Sequence, residues 1–175
     1  MRTKSSVRGI TGLIVLVVVA VSGCMPQTSG GGGSADPRVC PTPAAGQVRV
    51  AIVVDATGLG AGAATVTCVV VAQGANGIVA LNARAVRLGS PAPTFNASGL
   101  LCSIDGAPLA PACGTVGPNG YEYWSYWAGG TSWTYAPIGP VSRSMQDGTV
   151  EGWRFLPGGA QVAPSTSPTF ASLVS

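Results

Sequence analysis

The sequence predicts an α+β domain: a small mixed β-sheet with one covering helix, held together by disulfide bonds. Two strand-like segments come first, one helical segment follows, and several short strand-like segments come after it, an order typical of a sheet with a helix on one face. Four cysteines lie between residues 40 and 113, an even number for cross-linking. Glycine (26) and proline (14) are abundant among the 175 residues, which favours short elements joined by many turns.

The first two predicted strands form a hairpin. Residues 47–55 are dense in β-branched side chains and partly alternate between apolar and polar. Glycines at positions 58, 60 and 62 then break the chain, and residues 65–71 form a second β-branched run. Two such runs joined by a glycine-rich connection indicate an antiparallel pair.

A short helix is predicted after the hairpin. Its apolar positions recur at steps of three, four and three, which places them on one helical face: Ile78, Leu81, Ala85 and Leu88. Asn76 is a suitable N-cap and Gly89 a suitable stop. Arg84 and Arg87 fall on the polar side, where we expect them to be solvated.

The later strands are predicted at residues 100–104, 121–127, 132–135 and 150–155. Asp-Gly pairs at 105–106 and 147–148 are turn signals. We place the domain at residues 40–157. Residues 158–175 carry glycine, proline, serine and threonine, and we expect a loosely ordered tail there.

Residues 1–23 are predicted to be a lipoprotein signal peptide. Three positive residues among the first eight precede an apolar stretch at 12–21, about half of the roughly 20 residues that a membrane-spanning helix needs. Val21-Ser22-Gly23-Cys24 resembles the lipobox of bacterial lipoproteins. That resemblance implies lipidation of Cys24 and anchoring to the cell membrane on its extracytoplasmic side. The alternative is an ordinary secretory signal in which Cys24 stands by chance.

Residues 24–39 then form a Gly/Ser/Pro tract that buries too little apolar surface to fold, so a flexible tether is predicted there.

Four cysteines remain for the domain, and in an exported chain they predict two disulfides with three possible connectivities. We favour Cys40–Cys68, which joins the start of the domain to the second strand, and Cys102–Cys113, which closes a short loop containing two prolines. Buried free thiols are the alternative. The spacing is not that of a zinc site and the chain has no histidine, so no metal is predicted.

The charge pattern argues against nucleic-acid binding and against catalysis. The net charge is +3, and three of the nine basic residues lie in the first eight positions. The rest of the chain is therefore neutral, without the excess of basic residues that phosphate binding needs. Without histidine, no nucleophile–base pair built on histidine is available, and we predict neither enzyme activity nor a cofactor. The acidic residues are scattered along the domain: Asp55, Asp105, Glu122, Asp147 and Glu151. We expect Glu151 and Arg154 to form a surface ion pair.

The aromatic residues are the candidate binding residues. Every tryptophan and tyrosine lies between 121 and 153, and strand alternation in 121–127 sends large rings to both faces of the sheet. They form either the core of a small domain or an exposed surface for a flat ligand or a protein partner. The predicted ligand-binding residues are Trp124, Trp127, Trp133 and Tyr135.

Several segments also carry a family resemblance. They are residues 100–108 with Cys113, Tyr123-Trp124-Ser125-Tyr126-Trp127, residues 132–135, and Gly148 to Phe155 with its Glu-Gly-Trp-Arg-Phe motif. Together they resemble a bacterial surface-protein family whose domain is similar to the C-terminal, β-grasp-like domain of transcobalamins. The resemblance spans roughly residues 48–155. It differs at Ala128, where a histidine often follows the second tryptophan, and in lacking the larger helical domain of transcobalamins.

This resemblance implies a β-grasp-like fold and a role beside vitamin or cobalt uptake systems. The leading hypothesis is therefore a membrane-anchored extracytoplasmic module that captures a corrinoid or another small molecule for an uptake transporter. The alternative is a cell-envelope adaptor that binds a protein partner through its aromatic surface.

Overall fold

The computed structural model describes residues 36–109, 113–117, 120–158 and 161–175. The predicted signal peptide, Cys24 and most of the predicted tether lie outside these ranges. The elements, in chain order, are β1 Gln47–Asp55, β2 Thr65–Ala72, α1 Gly77–Leu88, β3 Thr94–Phe95, β4 Leu101–Ser103, β5 Thr115–Gly117, β6 Gly120–Ala128, β7 Thr134–Tyr135, β8 Thr149–Pro157 and α2 Phe170–Leu173.

The main sheet has the strand order β2-β1-β8-β6-β5, and β7 also pairs with β6. The central strands β1 and β8 run parallel, whereas β1–β2 and β6–β8 are antiparallel. The chain thus makes a hairpin, crosses the sheet through α1, and returns its last strand to the middle. Strands β3 and β4 form a separate small sheet. The predicted α+β class, with its mixed, β-grasp-like sheet and covering helix, is confirmed.

Helix α1 begins and ends where the sequence predicts. The Asn76 side chain accepts a hydrogen bond from the Val79 amide at 3.0 Å, and Gly89 adopts a left-handed conformation with φ 63°, which a residue without Cβ adopts at little cost. The helix packs Ala80 and Leu81 into the core against the sheet.

One expectation about α1 is wrong: Arg84 is not solvated but 1% exposed. Its Nη1 donates to both carboxylate oxygens of Asp105, at 2.7 and 2.8 Å, and its Nη2 donates to Thr65 at 3.1 Å. Helical spacing places a residue on a face but does not show what the chain brings over that face. Here the Asp105-Gly106 turn supplies the counter-charge that a buried guanidinium needs.

The larger hydrophobic core lies between the sheet and α1. It combines β-branched residues of β1 and β2 with aromatic rings of β6 and β8, and its largest members are Trp124, Tyr126, Trp153 and Phe155. Met145, from the loop before β8, is fully buried in it. Most of the aromatic mass of β6 and β8 is therefore core.

The other face of the sheet is covered by residues after β8. Leu173 of α2 packs against Ala51, Val53 and Val150, and Phe170 joins this second cluster. The indole of Trp133 donates to the carbonyl of Thr166 at 2.9 Å. The expected loose order of residues 158–175 concerns mobility and stays a prediction. The contacts of residues 161–175 nevertheless supply the second layer of the fold.

The second layer packs closely against the sheet at Gly152. A Cβ at this position would lie 2.7 Å from Cζ3 of Trp133 and 3.0 Å from Cγ of Pro164. Gly152→Ala is therefore expected to lower the free energy of unfolding by about 1–3 kcal/mol through overpacking. Gly62→Ala is the matched control, because a Cβ there meets no atom within 4 Å. Urea denaturation of both variants checks this, and equal midpoints would contradict it.

Both favoured disulfides are present. Cys40–Cys68 has a Cα–Cα separation of 4.9 Å and ties the start of the domain to β2, while Cys102–Cys113 has a separation of 4.4 Å and links β4 to the segment before β5. Among the residues that the structure describes, no helix is long and apolar enough to cross a membrane.

Candidate functional site: an uncharged groove

A groove of about 480 Å³ opens beside β6. Its walls come from the start of α1, from β4 and the loop before it, and from the loop that joins β7 to β8. Among the residues that the structure describes, none that lines the groove carries a charge, and all are aromatic, aliphatic, glycine or proline. A groove of this volume lies within the range of roughly 300–1,000 Å³ that small-molecule sites occupy.

Three aromatic rings form the floor of the groove. Trp124 and Tyr126 project from the same face of β6, because residues two apart in a strand share a face. Trp153 of β8 is the cross-strand partner of Tyr126, and their ring centroids are 5.1 Å apart. The indole nitrogens of Trp124 and Trp153 are both buried, so the floor offers mainly ring carbon to a ligand.

The rim of the groove is apolar and exposed. It includes Phe95, Leu100, Ile138 and Val141, with Ile138 48% and Val141 66% exposed. Isolated exposed apolar residues are ordinary, but several around one opening mark a binding surface. This rim therefore distinguishes the groove from a packing defect.

Two tyrosine hydroxyls supply the polar part of the groove. Tyr123 and Tyr135 both line it. Burial, together with a hydrogen bond to Tyr135, raises the pKa of Tyr123 to about 12. The Tyr123 hydroxyl therefore stays uncharged at neutral pH while still able to donate and accept hydrogen bonds.

A buried carboxyl group lies beneath the floor. Glu151 is fully buried; it accepts a hydrogen bond from the Tyr126 hydroxyl and another, at 2.6 Å, from Nε of Arg143. Burial raises the pKa of Glu151 to about 9. Glu151 thus joins a floor residue to the loop that forms one wall.

Gly77 lets the first turn of α1, which forms another wall of the groove, approach Tyr126 and the β7–β8 loop. A Cβ at Gly77 would lie 2.9 Å from Cβ of Pro140 and 3.0 Å from the Tyr126 hydroxyl. The first turn of α1 can therefore pack against the β7–β8 loop and the floor only with glycine at this position.

The predicted surface pair between Glu151 and Arg154 is wrong. Residues three apart in a strand point to opposite faces, so Glu151 faces the α1 side and Arg154 the other. Arg154 lies 3.5 Å from the carboxylate of Asp55 instead. The signal for a buried Glu151 was present in the alternation of β8, where it shares a face with Trp153 and Phe155.

The structure separates the four predicted ligand-binding residues. Trp124 and Tyr135 line the groove. Trp127 is buried, packs edge-on against the Tyr135 ring with centroids 5.3 Å apart, and donates to Ser125 at 2.9 Å. Trp133 lies on the opposite face, against the C-terminal segment. Only two of the four therefore contribute to one surface.

The other predicted acidic residues lie outside the groove lining. Asp105 occupies a tight turn between paired Ile104 and Ala107, with φ 55°. Asp147 accepts from Arg49, whose side-chain and backbone hydrogen bonds lower the pKa of Asp147 to about 2. Within the described ranges, no group of three or more histidine, cysteine, aspartate or glutamate residues could hold a metal ion.

A family model described as the SCO2322-like domain matches residues 116–175. Over that stretch, about a third of the chain, the protein is similar to this family. The match includes β6, β7, β8 and the segment that covers the second face of the sheet, so the groove floor and this segment lie in the same matched region. No curated protein matches the chain.

Proposed function

We propose that the protein is a membrane-anchored extracytoplasmic binding module that captures a small molecule in the groove beside β6 and passes it to a membrane transporter. The observation that carries the proposal is the groove itself, about 480 Å³ in volume, with an aromatic floor and no charged side chain among the described residues that line it. Concave, largely apolar sites with a few polar groups are typical of small-molecule binding.

The proposed location rests on the sequence of the N-terminus. The lipobox-like Val21-Ser22-Gly23-Cys24 favours a lipid anchor at Cys24. The two disulfides agree with an oxidising compartment, because such bonds persist mainly outside the cytosol. A module held at the membrane surface is well placed to hand its ligand to a transporter.

Within this proposal, Trp124 and Tyr135 contact the ligand. Trp127 supports Tyr135 from behind, and Trp133 holds the far side of the domain. The family resemblance makes a corrinoid the first ligand to test. Since the chain contains no histidine, a bound corrinoid would be held by its ring edges and side groups rather than by an imidazole on cobalt.

Binding rather than catalysis is proposed for the groove because of its lining. General acid–base and nucleophilic catalysis use positioned histidine, carboxyl, lysine or activated hydroxyl groups. The ionisable side chains among the lining residues are tyrosines, and one of them, Tyr126, is engaged by Glu151.

Isothermal titration of the purified protein with cobalamin and cobinamide tests the corrinoid. A corrinoid held in the groove gives saturable heat that Ile138→Arg weakens at least about tenfold, because the substitution brings an unpaired charge to the groove rim. Val86→Arg is the matched control, since Val86 is 84% exposed on α1 and outside the groove. Absence of heat with both compounds at high micromolar concentration would remove corrinoids as the ligand.

A further inference from the structure

We infer that the groove selects an uncharged, aliphatic ligand, a flexible hydrocarbon body that ends in one neutral hydrogen-bonding group such as an alcohol. This inference deepens the proposed function and rests on it. Three features of the groove carry it: the absence of charge in the lining, the mutual tilt of the floor rings, and the pair of phenols.

The lining offers no partner to a charged ligand. Every lining residue in the described part of the chain is formally neutral. The ionisable groups beneath the floor are Glu151, which accepts from the Tyr126 hydroxyl, and Arg143, whose Nε donates to Glu151 rather than into the groove. A carboxylate or ammonium entering the groove would lose water without gaining a counter-charge, which is strongly unfavourable.

The geometry of the floor favours a flexible hydrocarbon over a flat ring system. Stacking of a broad planar ligand needs ring faces that lie in one plane. Two of the floor rings are instead tilted against each other: Tyr126 meets Trp153 at 33°. The walls add aliphatic groups, Ile78, Leu101 and Ile138 among them. Such a surface is matched by a chain that can follow its bends.

The phenols of Tyr123 and Tyr135 provide a place for a polar end group. Both rings line the groove, and Tyr135 is 36% exposed. A hydroxyl on the ligand can donate to one phenol oxygen and accept from the other, which keeps all three groups satisfied. This recognition is specific for a neutral end group.

Tryptophan fluorescence of the full chain, with Trp124 and Trp153 as reporters in the floor, gives the test. The probes are 1-octanol, octanoate and octylammonium, which share a chain length and differ in end-group charge. At neutral pH we expect a saturable change with 1-octanol and at least about tenfold weaker binding of both charged probes. Ile138→Arg should weaken 1-octanol binding at least about tenfold, Tyr135→Phe several-fold, and Val86→Arg not at all.

The remaining outcomes separate failure of this inference from failure of the proposed function. Octanoate or octylammonium binding as tightly as 1-octanol would overturn the inference, as would 1-octanol binding that Ile138→Arg leaves unchanged. Saturable binding of cobinamide without any binding of 1-octanol would overturn the inference and leave the proposed capture function standing. Absence of saturable binding for every probe, corrinoids included, would overturn both.

Discussion

The free energy of unfolding is expected to fall as the pH rises from about 5 to 9, and Glu151→Gln is expected to remove most of that fall. Burial raises the pKa of Glu151 from 4.5 to about 9, so the folded state keeps a proton that the unfolded chain releases. The stabilisation is fully present below pH 4.5 and is lost as the pH rises through 9. One group contributes a slope of at most about 1.4 kcal/mol per pH unit.

Arg143 moderates this slope. Its Nε lies 2.6 Å from Oε1 of Glu151, and a guanidinium at that distance favours the carboxylate. The burial of Glu151 is complete, whereas the Arg143 side chain is 29% exposed, so solvent weakens the opposing attraction. We therefore expect the free energy of unfolding to fall with rising pH, as burial of Glu151 requires, but with a slope below the maximum for one group.

Urea denaturation at several pH values between 5 and 9 measures the effect. Asp147→Asn serves as the control, because Arg49 lowers the pKa of Asp147 to about 2. The stabilisation that Asp147 contributes is therefore lost only as the pH falls below 3.8, the ordinary pKa of an aspartate. Between pH 5 and 9 the Asp147→Asn variant should keep the wild-type slope. Parallel curves for the wild type and Glu151→Gln would show that Glu151 is ionised throughout this range.

The parts of the fold that were predictable depend on local chemistry. Asn76 and Gly89 bound a helix because a side-chain acceptor and a left-handed glycine satisfy its ends wherever the helix lies. The β-branched runs of β1 and β2 pair because only a short glycine-rich connection separates them. The favoured disulfides follow from the same proximity along the chain, with sequence separations of 28 and 11.

The unpredicted parts depend on contacts between distant segments. Arg84 is buried because a turn 21 residues further along supplies Asp105. Trp133 faces away from the groove because residues 161–175 cover the second face of the sheet. The apolar residues that form this layer, Phe170 and Leu173 among them, stand between serines, threonines and prolines without a regular spacing that would predict a helix or a strand. Glu151 could have been placed by counting along β8, but its partner Arg143 comes from a loop whose path has no local signal.

Asp55→Ala is expected to destabilise the protein by about 3–5 kcal/mol, because it removes a fully buried carboxylate that accepts four hydrogen bonds and lies beside the partly buried Arg154. Asp55 is fully buried at the end of β1. It accepts hydrogen bonds from the amide and hydroxyl of Thr57, at 3.1 and 2.5 Å, and from the amide and hydroxyl of Ser165, at 2.8 and 2.9 Å. Removal of the Asp55 side chain would also leave the Arg154 guanidinium without the carboxylate beside it.

Because Asp55 holds Ser165, the same substitution should release the C-terminal segment from the sheet. Faster proteolysis within residues 161–175 and a change in Trp133 fluorescence would report that release, since the Trp133 indole donates to Thr166 in the same segment. Ser165→Ala removes only one hydroxyl bond and should cost about 1 kcal/mol. Ser172→Ala is exposed and bonds only within its own segment, so it should stay within about 0.5 kcal/mol of the wild type.

The stabilisation that Asp55 contributes depends on pH in the opposite direction to that of Glu151. Burial alone would raise the pKa of Asp55, but the hydrogen bonds from Thr57 and Ser165 outweigh it and lower the pKa below 3.8. The stabilisation is therefore present above pH 3.8 and lost as the pH falls below that value. Asp55→Asn should reduce the loss of unfolding free energy as the pH falls below 3.8. It should not change the fall between pH 5 and 9, which is assigned to Glu151. Equal costs for Asp55→Ala and Ser165→Ala would mean that the Asp55 carboxylate does not hold the second layer in place.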